Sequence, residues 1–161
     1  MHVGLPELRC AMIKVSVASP QEAVQIDRGR MRQIVRTVLE GEGISSAEIS
    51  LAFVDNDTSH RLNKRYLDHD EPTDVLTFPS GEGGSKLSGE LVLGAEVAQV
   101  QATEHGHDVQ AELALYIIHG LLHLCGFDDK SGEQVARMRQ RERHYLGLLG
   151  YPDISENEID N

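Results

Sequence analysis

The chain has 161 residues, of which 40% are apolar and 25% are charged, so its length and composition suit one globular domain. Acidic residues outnumber basic residues by 26 to 15, and the net charge of −11 argues against broad binding to nucleic acids and against DNA as a partner. Two cysteines and no apolar run of ~20 residues exclude a disulfide scaffold and a membrane span, and they favour a cytoplasmic protein.

The first half of the sequence contains two strand patterns and two helix patterns. Residues 1–12 carry no clear pattern, and we expect a disordered start there. Apolar residues that alternate with polar ones predict strands, and apolar residues at helical spacing predict helices. The predicted elements are strands over 13–19 and 47–54, a helix over 26–40, and a short helix that begins near Asp55, Asp57 or Thr58.

Two more strands are expected in the middle of the chain. Pro72 and Pro79 bound a short strand over 75–78. A flexible loop with several glycines follows it, at residues 81, 83 and 84. The fourth strand is predicted in the segment GELVLGAEV, and a helix then runs through AEVAQVQATEHG to Gly106.

Two longer helices are predicted before the C-terminus. Asp108 can cap a helix that is apolar nearly all round towards its end, and such a helix belongs in the middle of a fold. Ser131 and Gln134 resemble a capping box at the start of the last helix, which ends near Leu149. An acidic tail over 151–161 completes the chain. We therefore predict an α+β fold: a single domain over 13–150 with a small mixed four-stranded sheet packed with about five helices.

Residues 119–129, with the sequence HGLLHLCGFDD, suggest a metal site. His119 and His123 are four residues apart and share one helix face, as in a zinc half-site. Gly126 can adopt a positive φ angle and turn the chain back, so that Asp128 or Asp129 reaches the same point. A catalytic zinc site keeps three such protein ligands and a water. Metal binding is favoured because a nearly all-apolar helix end is a costly place for unpartnered imidazoles.

Other interpretations remain open for these residues. His119 and His123 can be partly exposed helix residues without a metal, and Asp129 can be only a helix cap ahead of the last helix. His105 and His107 are interpreted as loop and cap residues rather than as a second metal site. Gly120 stands where H-E-x-x-H proteases carry their glutamate base, which argues against peptide hydrolysis.

A family resemblance adds to this interpretation. The segment HGLLHLCGFDD resembles the signature H-G-x-L-H-L-x-G-Y-D-H of the YbeY proteins. The YbeY proteins are bacterial endoribonucleases that mature rRNA. Further blocks of that family resemble LNKRYLDHDEPTDVLTFP, GELVLGAEVA and EHGHDVQAELALYIIHG, so that the likeness covers about residues 13–150. The resemblance implies one zinc ion held by His119, His123 and Asp129.

The same resemblance implies an activity. It is that of a single-strand-specific, metal-dependent endoribonuclease in 16S rRNA 3′-end maturation and ribosome quality control. Our hypothesis for its mechanism is that metal-bound water is the nucleophile, because a metal lowers the pKa of water to near neutrality. The expected partners are rRNA and the small ribosomal subunit. The alternative is a ribosome-associated assembly factor with a structural metal and little nuclease activity.

Two positions depart from the family pattern. Asp129 replaces the family's third histidine, and a harder, anionic ligand favours a shift from zinc towards manganese. Leu67 replaces a family arginine, for which Lys64 or Arg65 is a candidate substitute.

An acidic protein needs local basic residues to hold RNA. We predict RNA contacts by Arg65, Arg137 and Arg141, and the segment DRGRMR offers a second arginine cluster. The alternative is that these residues belong to solvated helix faces with Arg–Glu pairs, Glu142 among them. No general base is assigned: Asp128 and Glu112 are the candidates, and we interpret Glu112 as a surface residue of its helix.

Overall fold

The computed structural model describes residues 12–67, 74–80 and 86–155, with the side chains of Tyr66 and Leu67 excepted. Several predictions from the sequence lie outside the described residues. They are the disordered start before residue 12, Pro72, the glycine loop at 81–84 and the end of the acidic tail, together with the side chain of Leu67.

Four strands and five helices make up the described part of the chain. They are β1 (Met12–Ala18), α1 (Arg28–Gly41), β2 (Ser46–Val54), α2 (Asn56–Leu67), β3 (Val75–Pro79), β4 (Leu87–Gly94), α3 (Ala95–His105), α4 (Val109–Leu124) and α5 (Gly132–Leu149). This arrangement confirms the predicted α+β fold with a mixed four-stranded sheet and five helices. In the described residues, no helix has the length and apolar character needed to cross a bilayer.

The sheet has the strand order β1-β2-β4-β3. β1, β2 and β4 are parallel neighbours, whereas β3 pairs antiparallel with β4 at the edge. Because side chains alternate along a strand, the residues of β2 divide between two faces. Ile49, Leu51 and Phe53 enter the main core, while Val54 joins a smaller cluster that Leu62 of α2 covers on the other face.

Helix α4 runs through the main core, as its apolar sequence predicts. All twelve residues from Ala111 to Leu122 are buried. At Gly120 the helix comes so close to the sheet that an added Cβ would lie 1.8 Å from Cδ2 of Leu91 in β4. The interpretation of Glu112 as a surface residue is wrong, since its side chain is only 1% exposed. A side chain after His119 therefore points into the sheet, so a protease-type glutamate has no room at position 120.

Helix α5 packs beside α4 and is fastened at both ends. The predicted capping box at its N-terminus is present, with the Ser131 hydroxyl accepting from the amide of Gln134. In the middle of the helix, Arg141 donates to the carboxylate of Glu42 at 2.6 Å. The guanidinium of Arg30 in α1 also donates to the hydroxyl of Tyr151 at 2.9 Å, and to the backbone carbonyl of Leu149. Contacts with α1 and the residue after it thus fix the position of α5.

Candidate metal centre

The C-terminal end of α4 turns the chain back on itself. Cys125 ends the helix, and Gly126 follows with a φ angle of 104°, in the left-handed region that favours glycine. The amide of Phe127 then donates to the carbonyl of Leu122 at 2.9 Å, which closes the turn. The predicted role of Gly126 is therefore confirmed, and the turn carries the next residues towards the two histidines.

His119, His123 and Asp129 meet at this turn. The Nε2 atoms of the two histidines are 3.1 Å apart. Oδ2 of Asp129 lies 3.5 Å from Nε2 of His119 and 3.6 Å from Nε2 of His123. A tetrahedral zinc with ligand bonds of about 2.0–2.1 Å separates its ligand atoms by about 3.3–3.4 Å. The three donor atoms therefore already have the spacing that a zinc ion requires.

The structure distinguishes between the two aspartates that follow Gly126. Asp128 uses its Oδ1 atom to accept a hydrogen bond from the amide of Asp129 at 2.9 Å. Asp129 is the residue whose carboxylate reaches the histidines. Ser131, not Asp129, is the N-cap of α5, so the interpretation of Asp129 as only a helix cap is wrong.

Glu142 of α5 holds the first histidine in place. Its Oε2 atom lies 2.6 Å from Nδ1 of His119, and its Oε1 atom accepts from Arg139 at 3.0 Å. Because a carboxylate only accepts, Nδ1 of His119 carries the proton and Nε2 presents its lone pair to the cluster. The interpretation of Glu142 as part of a solvated Arg–Glu face is wrong, since Glu142 has no exposed area.

The sequence contained a signal for Glu142 that the pattern analysis missed. Met138, Tyr145 and Leu149 form the buried stripe of α5, and Glu142 stands within it at helical spacing. A carboxylate in such a stripe needs a buried partner. His119 and Arg139 are those partners.

The cluster is buried on one side and open on the other. The side chain of His119 is 2% exposed, whereas those of His123 and Asp129 are 23% and 31% exposed. Burial, together with the neighbouring His119, lowers the pKa of His123 below its usual value. His123 therefore stays neutral near pH 7 and keeps a lone pair for a metal.

The three arginines predicted to contact RNA lie in different settings. Arg137 is exposed on α5 and lines a surface pocket with Phe127, Asp128 and neighbouring residues of the turn after α4. Arg141 instead pairs with Glu42. Arg65 lies in the last turn of α2, the helix on the other face of the sheet. Of the three, Arg137 is the one that lines a pocket with the turn leading to Asp129, and RNA contact by all three stays a prediction.

The arginine cluster of α1 is mostly engaged within the protein. Arg28 and Arg32 donate to the backbone carbonyls of Val17 and Val15 in β1. Arg30 holds the end of α5, as described above. The three arginines of the segment DRGRMR therefore have structural roles, because each hydrogen-bonds within the protein.

A helix end and its turn here present three zinc-type donors with one side open to solvent, which is the arrangement of catalytic rather than structural metal sites in metalloenzymes. Comparison with known families gives a more specific assignment. The family model described as "Endoribonuclease YbeY" matches residues 16–158. The chain belongs to the YbeY family of endoribonucleases.

Individual relatives agree with this assignment. The chain is 35% identical over 143 residues to the endoribonuclease YbeY of Salinibacter ruber, an alignment that covers 84% of this chain and 91% of the relative. It is 38% identical over 146 residues to the endoribonuclease YbeY of Pelotomaculum thermopropionicum, covering 84% and 96%. The solution structure of TM1509 from Thermotoga maritima has the same fold, with a TM-score of 0.58 and 24% identity over 91% of this chain and 97% of that one.

Proposed function

We propose that this protein is a metal-dependent endoribonuclease that cleaves single-stranded RNA in the maturation of the 16S rRNA 3′ end and in ribosome quality control. The observation that carries the proposal is the convergence of His119, His123 and Asp129 in a chain of an endoribonuclease family. The cytoplasm, rRNA and the small ribosomal subunit are the setting and partners that this function requires.

We infer that His119, His123 and Asp129 hold zinc. Their donor set of two imidazoles and one carboxylate, at near-tetrahedral spacing, suits that ion. Because Asp129 is anionic and harder than the family's histidine, manganese is the competing ion. When bound, the ion supplies Lewis acidity that polarises a phosphoryl oxygen and makes water more acidic.

The protein's own residues prepare this centre for a phosphodiester. Glu142 fixes the ring and tautomer of His119, and the exposed sides of His123 and Asp129 leave room for RNA. Arg137 in the adjoining pocket carries a positive charge suited to a neighbouring phosphate. This local positive charge would attract an RNA phosphate although the whole chain has a net charge of −11.

Of the two candidate proton acceptors, Asp128 fits better than Glu112. Glu112 is seven residues before His119 on α4, which places its backbone about 10.5 Å away along the helix axis. Asp128 directly precedes Asp129 and lines the pocket that contains Arg137. We therefore assign proton acceptance to Asp128 in this proposal.

The test is single-turnover cleavage of an RNA hairpin with single-stranded flanks. Cleavage is expected in the flanks, lost with chelator, restored by added Zn²⁺ or Mn²⁺, and absent in His123→Ala. His144 is an exposed histidine outside the cluster of His119, His123 and Asp129, so His144→Ala should cleave normally. Cleavage that survives chelation and persists in His123→Ala would refute the proposal.

A second function is favoured by one observation in the sequence. Leu67 stands where the family has arginine. An assembly factor with a structural metal would explain that loss. It predicts that chelation lowers the melting temperature while the metal-loaded protein binds the small ribosomal subunit without cutting RNA.

A further inference from the structure

A second histidine–carboxylate cluster lies at the opposite end of α4. His105 ends α3, His107 precedes the N-cap Asp108 of α4, and Glu112 lies in the first turn of α4. One donor atom from each of His105, His107 and Glu112 lies within 4.8 Å of the others. The turn between α3 and α4 thus gathers three residues of the types that bind transition metals.

Glu112 is the unusual member of this cluster. Its side chain is only 1% exposed, and its Oε1 atom pairs with Nε2 of His107. Its Oε2 atom is buried and has no hydrogen-bond partner among the residues that the structure describes. A buried carboxylate with an unused oxygen is costly unless a cation or donor satisfies it.

The surroundings of Glu112 increase the need for a cation. The hydroxyl of Tyr116, one turn along α4, interacts with Glu112 without reaching good hydrogen-bond geometry, so it satisfies the free carboxylate oxygen only weakly. Burial and the charges of Glu112 and Asp74 raise the pKa of this phenol, so Tyr116 stays neutral and keeps its proton. His107 is the one basic side chain that pairs with Glu112 among the described residues.

The cluster is reachable from solvent on its histidine side. His105 is exposed, and the side chain of His107 is 12% exposed. The two rings are nearly parallel, with 11° between their planes and 5.9 Å between their centroids. Because His105 is exposed, its ring can change rotamer without displacing buried residues.

We propose that His105, His107 and Glu112 form a second divalent-metal site that takes zinc or another imidazole-preferring transition metal. His105 and His107 were interpreted as loop and cap residues because the sequence does not reveal that Glu112 is buried beside them. Glu112 and His119 are separated by about 10.5 Å along α4, far more than the ~4 Å between ions of a two-metal catalytic centre. The second ion therefore fastens α3 to α4 and takes no part in RNA cleavage.

The test counts zinc ions on the full chain, purified without a histidine tag, stripped with chelator and dialysed against Zn²⁺. The wild type should bind two equivalents. His105→Ala and Glu112→Gln should bind one each, and so should His123→Ala, which loses the other site. His144→Ala, the matched exposed control, should bind two. The count does not depend on any nuclease activity.

Two results would overturn the proposal. One is a wild type that binds a single equivalent, lost in His123→Ala. The other is a wild type with two equivalents that both His105→Ala and Glu112→Gln retain. Because His105 is exposed, its replacement should leave the far-ultraviolet circular dichroism spectrum unchanged, so a lost equivalent in that variant reports the site rather than unfolding.

Discussion

Replacement of Glu142 should weaken metal binding although Glu142 is not a ligand. Its carboxylate lies 2.6 Å from Nδ1 of His119, and both side chains are buried. Loss of such a supporting carboxylate typically costs about 10–100-fold in metal affinity, or about 1.4–2.7 kcal/mol.

The two informative variants should differ in size of effect. Glu142→Gln keeps an acceptor for the Nδ1 proton but loses the charge, so we expect a loss of about tenfold. Glu142→Ala removes the acceptor as well and leaves a buried donor unsatisfied, so we expect a loss of about 100-fold.

Zinc affinity can be measured by competition with a fluorescent chelator at fixed pH. Glu133→Gln is the matched control, because Glu133 is an exposed glutamate in the first turn of the same helix. Circular dichroism melts of the metal-free variants separate lost affinity from lost folding. A folded Glu142→Ala protein that binds zinc as tightly as the wild type would refute the orienting role of Glu142.

Three further predictions concern the same helix and its turn. Gly120→Ala should lower the free energy of unfolding, measured in urea, by about 1–3 kcal/mol, because the new methyl group meets Leu91. The control is Gly132→Ala, which has open space around its Cβ and should not lower it. An unchanged urea midpoint for Gly120→Ala would contradict the close packing. Asp129→His should raise the affinity for zinc relative to manganese in competition assays, and equal affinities in both proteins would count against Asp129 as a ligand. Burial and the nearby Glu42 carboxylate raise the pKa of the Cys125 thiol to about 11. In a Cys10→Ser background, iodoacetamide should therefore alkylate the native protein at pH 8 about 200-fold more slowly than the urea-unfolded chain, and similar rates would exclude the raised pKa.

The elements and the three metal-cluster residues could be predicted because their signals are local. His119, His123, Gly126 and Asp129 lie within eleven residues, and helix geometry with one glycine turn brings them together. Strand alternation likewise identified β1 and β2 with shifts of one residue at their ends.

Features that depend on distant packing could not be obtained in this way. Glu142 reaches His119 across 23 positions, and Arg141 meets Glu42 across 99. The buried stripe of α5 indicates that Glu142 is buried, but no local pattern identifies His119 or Glu42 as the partner, and the arginines of the same helix suggested solvated faces instead. The burial of Glu112 escaped prediction for the same reason, because a glutamate in the first turn of a helix is ordinarily exposed.

The attachment of α5 to α1 has a consequence for how defects in this protein would present. Arg30 is remote from residues 119–129 in the chain, yet it helps to set the position of the helix that carries Glu142. A substitution of Arg30 would therefore be expected to loosen the contact between Glu142 and His119 from a distance. Substitutions in the first quarter of the sequence would then have the same effect as a shortage of metal, and added metal would suppress that defect.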